Sequence, residues 1–85
     1  MKADRNLSHI DCGLWKGKGG NTLGLTAFWK HYGFSLEIVD LDAEPDSEGM
    51  PPVIFKKFLR TDDRDYAVNY LRKCAQNNFG ATPWD

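Results

Sequence analysis

The chain has 85 residues, a net charge of −1, 41% hydrophobic residues and 13% aromatic residues. That is one domain, able to bury a core, with a stability on the order of 5 kcal/mol. The near-zero charge argues against a general polyanion binder, and no apolar run approaches the length of a membrane span.

Residues 1–6 are polar and read as a loose end. The segment Ser8–Trp15 fits either a short strand or a helical turn, because Ile10, Leu14 and Trp15 suit both. Lys16–Asn21 is a glycine-dense loop. A helix is expected over Thr22–Tyr32, where Leu25, Phe28, Trp29 and Tyr32 fall at i, i+3, i+4 and i+7. Gly33 is its expected stop, and Gly24 costs it about 1 kcal/mol relative to alanine.

Phe34–Ile38 alternates strictly and reads as a half-buried strand. Val39 and Leu41 fall out of phase, which predicts a bulge or a strand end there. Asp42–Pro52 is an acidic loop punctuated by Gly49 and three prolines. Val53–Leu59 is rich in β-formers, and Lys56 and Lys57 mark it as an edge or a wet face. A closing helix is expected over Asp62–Asn77, capped by Thr61, Asp62 or Asp63, with Ala67, Tyr70, Leu71 and Cys74 as its core stripe and Gly80 and Pro83 beyond it. The first turn gathers acids, and Arg72 and Lys73 are placed in the last turn. Residues 79–85 read as a second loose end. The expected fold is therefore α+β, with two helices on one face of a sheet of two to three strands.

The tetrad Gly17-Lys18-Gly19-Gly20 before the expected helix at Thr22 carries the one chemical hint. Glycines allow close backbone approach, and a helix start supplies free N–H groups and positive dipole charge, which suits a phosphate. With the order helix, strand, variable loop, strand and helix after it, this tetrad resembles the GxxG loop of the KH nucleic-acid-binding domain. Lys16 stands where that family carries an apolar residue. The resemblance implies that Gly17, Lys18, Gly19 and Gly20, with Lys30, grip the phosphates of single-stranded RNA or DNA. Bases then lie against the strand that carries Leu36 and Ile38. Lys18-Gly19-Gly20 and Val39-Asp40-Leu41-Asp42 also resemble the deviant P-loop of partitioning ATPases, but the Lys-Thr/Ser pair is missing.

The alternative is a protein-binding inhibitor or adaptor, of the type phages direct at larger host machines. Its contacts are Asp42, Glu44, Asp46 and Glu48, against a basic protein surface, and Trp84 as an aromatic anchor. The acidic run fails the EF-hand pattern, since Pro45 and Pro51 stand where Gly and Glu are needed. His9, Cys12, His31 and Cys74 read as unrelated residues, not a zinc site. Cys12 and Cys74 read as free thiols of a cytoplasmic protein. No catalytic constellation, metal or cofactor is expected.

Overall fold

The computed structural model describes residues 9–84, and these form five strands and one helix. The strands are β1 (His9–Lys16), β2 (Thr22–Lys30), β3 (Gly33–Asp40), β4 (Val53–Leu59) and β5 (Thr82–Pro83). The helix α1 spans Arg64–Phe79. All pairings are antiparallel, in the order β4-β3-β2-β1-β5. The first four strands are a meander. The helix then crosses back over one face and delivers β5 to the far edge.

This corrects the expected fold class. Thr22–Tyr32 is not a helix, so the described residues hold one helix in place of two and a five-stranded sheet in place of two to three strands. Leu23, Leu25 and Ala27 are buried and alternate with half-buried Gly24, Thr26 and Phe28 along β2. That period of two coexists with the helical spacing of residues 25, 28, 29 and 32. Pairing decides between them, because β2 bonds to β1 on one side and β3 on the other. Gly33 does not stop a helix. It closes a two-residue hairpin in register with Lys30, with His31 taking a positive φ of 51° at the turn.

The core lies between the sheet and α1. Leu25, Leu36, Ile38, Ala67, Leu71 and Ala75 are all 0% exposed, and Trp29 meets Phe34 edge-on across the strands at 5.1 Å. Leu36 and Ile38 are therefore not groove residues. Both project under α1, where no base can reach them.

The helix follows its local signals closely. The Asp63 carboxylate caps it by accepting from the Tyr66 N–H at 3.1 Å. Gly80 ends it in the left-handed region at φ 58°, and the Gly80 and Ala81 N–H groups donate to the Gln76 and Ala75 carbonyls. The helix runs to Phe79, so Arg72 and Lys73 lie before its last turn, which carries no basic residue.

The ladder between β3 and β4 shifts register at Ile38/Val39, where the break in alternation falls, and Ile54 is the extra residue. Residues 1–6 lie outside the described residues. The other end is tied down in part: Thr82 and Pro83 pair with Lys16 and Trp15, and the Trp84 N–H donates to the Leu14 carbonyl at 3.2 Å. No helix among the described residues is long and apolar enough to cross a membrane.

Candidate functional site

The glycine tetrad is the turn of the β1–β2 hairpin, far from any helix start. Its amides are already engaged. The Gly17 N–H donates to the Asn21 carbonyl at 2.8 Å and the Gly20 N–H to the Gly17 carbonyl at 2.9 Å. The Lys18 N–H donates to the Phe79 carbonyl at the end of α1, at 3.1 Å. A helix C-terminus carries partial negative charge, so the helix end nearest this loop has the wrong sign for a phosphate. Lys30 stands at the opposite end of β2 from this turn. Eight residue steps at roughly 3.3 Å place the two about 26 Å apart. The structure does not bring Lys30 and the tetrad together.

What lies beside the tetrad is the acidic loop. Asn21 donates its side-chain amide to an Asp40 oxygen at 2.9 Å, and the Thr22 N–H donates to Asp42 at 2.7 Å. The Leu41 N–H donates to the Thr22 carbonyl at 2.9 Å. The loop is folded on itself: the Asp46 carboxylate accepts from the Glu48 and Met50 N–H groups, and the Asp46 and Met50 main chains also pair. Of the four acids expected to meet a protein partner, Asp42 and Asp46 therefore brace the loop. Glu44 and Glu48 are exposed, and no side-chain bond among the described residues holds either.

Apolar side chains that the sequence did not single out stand exposed in and beside this loop. Val39 and Leu41 close over Gly24, where a Cβ would sit only 3.2 Å from a Val39 methyl carbon. Val53 is the cross-strand partner of Val39. Leu41, Met50 and Val53 are 44%, 58% and 50% exposed. The only sequence signal is the break in alternation at Val39 and Leu41, which predicts a bulge or a strand end. Trp84 lies on the β5 side of the sheet, 46% exposed, with the Lys16 ammonium 5.5 Å from its ring.

The second concave region lies between β1 and α1. It is a cavity of about 440 Å³ bounded by Ile10, Asp11 and Cys12 on the strand and by Arg64, Asp65, Val68, Asn69 and Arg72 on the helix. No sequence motif marks it. The helical spacing of residues 64, 68 and 72 is the one regularity, and it places them on a single stripe.

Cys12 is buried and Cys74 half-buried, both as free thiols. Burial pushes both above the ordinary thiol pKa, opposed by Arg72 at Cys12 and by Lys57 at Cys74. An unfolded thiol, with a pKa of about 8.5, releases its proton first. The stability these protonated thiols carry is thus fully present below that value and is lost as pH rises from it towards the folded values. Urea unfolding at a series of alkaline pH values should show this decline. The slope should flatten in Cys12→Ala/Cys74→Ala, and an unchanged slope would assign the decline to other groups.

Among the described residues no group of three or more His, Cys, Asp or Glu side chains converges as a metal site would require. No protein-family model, no curated protein and no solved structure matches this chain.

Proposed function

We propose that this chain is a non-catalytic protein-binding module that docks on a basic protein surface through the β3–β4 loop. The observation that supports the reading is the exposure of Leu41, Met50 and Val53 within and beside the same loop that carries Asp42, Glu44, Asp46 and Glu48. An apolar centre with a charged rim is the anatomy of a protein interface. Asp40 and Asp42, held against Asn21 and Thr22 just after Gly17–Gly20, repel a phosphate backbone. The structure also engages three of the four tetrad amides that nucleic-acid binding would need. For these two reasons the protein partner is favoured over single-stranded RNA or DNA.

The apolar and the acidic side chains should act on different rate constants. Exposed charges steer encounter, so Glu44→Gln/Glu48→Gln should slow association and weaken its salt dependence while leaving the fold intact. Leu41→Asp/Val53→Asp should act on dissociation and shorten the lifetime of the complex tenfold or more. Lys18→Asp/Gly19→Asp should change neither. The experiment is in-cell cross-linking and co-purification, followed by binding kinetics of the captured protein with the three variants. Anisotropy with short single-stranded RNA and DNA at two salt concentrations runs alongside. Salt-sensitive oligonucleotide binding that Lys18→Asp/Gly19→Asp abolishes would reverse the choice. A captured protein indifferent to both loop variants would reject this surface.

A further inference from the structure

The β1 edge is covered over only part of its length. On its outer side β5 pairs with Trp15 and Lys16, and Trp84 adds one bond to Leu14. Beyond that point, among the described residues, no strand lies against Ile10–Gly13 on that side. Alternate residues of such an edge present an N–H and C=O outward; here the Gly13 N–H already donates to the Asp11 carboxylate at 2.9 Å and the Ile10 carbonyl accepts from the Cys12 thiol at 3.8 Å. The ladder is also loosened here. The β1–β2 register shifts between Asp11 and Leu14, and Gly13 adopts φ 95° with open space where a Cβ would lie.

Helix α1 flanks this bare edge, and the space between them is the 440 Å³ cavity. Ile10, Cys12 and Val68 give it an apolar floor, Cys12 buried and the other two half-buried. A second cavity of about 430 Å³ shares Cys12 and Arg72 with the first and runs on past Gly13 to Pro83 and Trp84. Together they make one trough along β1, in line with β5.

The helical wall of the trough carries Arg64 and Arg72, both exposed. Neither makes an ion pair within 4 Å among the described residues. Two carboxylates line the same cavity: Asp11, which is turned onto the Gly13 N–H at 2.9 Å, and Asp65 in the first turn of the helix, where the dipole favours it. Arg64 and Arg72 are eight residues apart, about 12 Å along the helix axis. Two side chains four residues apart on one face of an extended strand are separated by roughly 13 Å. The spacings match.

We propose that this trough binds an extended acidic segment of another protein, which adds as a strand to Ile10–Gly13 while Arg64 and Arg72 each hold one carboxylate. Main-chain bonds to the β1 edge supply affinity that is independent of sequence. Preference comes from the two arginines, which select Asp or Glu at positions i and i+4, and from the floor, which takes a small apolar side chain between them. This site is separate from the acidic loop and prefers ligands of the opposite charge.

The probe is a displayed library of random eight-residue peptides, panned on the intact protein and counter-panned on Arg64→Glu/Arg72→Glu. Both arginines are exposed, with no ion pair among the described residues, so the variant should keep the wild-type urea midpoint. The expected result is enrichment of peptides with acids four apart around an apolar residue. The best of these should lose tenfold or more in affinity on the variant, and its counterpart with Lys for each acid should not bind. In amide NMR spectra the shifts should centre on Ile10–Gly13 and on residues 64–72. In a Cys74→Ser background, the bound peptide should slow alkylation of Cys12. Glu44→Gln/Glu48→Gln should leave all of this unchanged. No enrichment, equal binding to the arginine variant, or shifts centred on β4 or the acidic loop would overturn the proposal. So would displacement of the peptide by single-stranded RNA or DNA, which would assign the arginines to phosphates.

Discussion

Leu71→Ala should remove most of the stability of this protein. Leu71 is 0% exposed on the buried stripe of α1, between Ala67 and Ala75, and it packs in the same cluster as Leu25, Leu36 and Ile38. Its neighbours on the stripe are already as small as a side chain can be without being glycine. The sheet side chains have no partner that could move in to fill the gap. Truncation therefore leaves a cavity that does not collapse, and costs about 3 kcal/mol. Against a total on the order of 5 kcal/mol, that leaves about 2 kcal/mol and raises the unfolded fraction in water from about 0.02% to about 3%. Urea unfolding followed by circular dichroism and by tryptophan fluorescence measures it. The two probes should move together, since Trp29 belongs to the same core. A change below about half a kcal/mol would mean that α1 does not pack as described.

Gly33→Val should be comparably severe, for a reason unrelated to backbone dihedrals. Gly33 has no positive φ. It is buried at the start of β3, and a Cβ there would land on the Leu59 carbonyl oxygen and the Phe58 ring. A backbone oxygen cannot step aside without displacing β4 from β3 at the Phe34–Leu59 pair. Overpacking of this kind costs about 2–3 kcal/mol, and lost ladder bonds add to it. Phe58 also meets Tyr32 edge-on at 6.2 Å, and the Arg60 guanidinium lies 5.4 Å from the Tyr32 ring, so the disturbance spreads to that cluster. Gly33→Ala should cost less than valine but more than 1 kcal/mol. Amide exchange should accelerate at Phe58 and Leu59 before it does so in β1. If both variants melt like the parent, the close approach of β3 and β4 at this point is not real.

The two residues also separate what is local from what is not. Leu71 was legible as core from the stripe of α1, and the caps at Asp63 and Gly80 were legible too, because a helix bonds within itself and its signals lie within a few residues. The strand Phe34–Ile38 was legible from its alternation, Val53–Leu59 from its β-forming residues, and the acidic loop from its prolines and charges. Gly33 was not legible as the start of a strand. It reads as a helix stop only if Thr22–Tyr32 is a helix, and that segment satisfies both periods at once.

The sequence by itself determined the single domain, the closing helix, the two strands β3 and β4, the loop between them and its charge. Only the tertiary structure decided the rest. Segment Thr22–Lys30 became a strand because β1 and β3 both offer it partners. The two residues of β5 are a strand only because Trp15 and Lys16 lie opposite. Whether glycine amides are free to hold a phosphate depends on where Phe79, some sixty residues later in the chain, puts its carbonyl. The trough needs Cys12 on one edge strand and Arg64 and Arg72 on a helix that returns from the other edge. Strand pairing and helix docking are bonds between distant residues, so no window of neighbouring residues contains them.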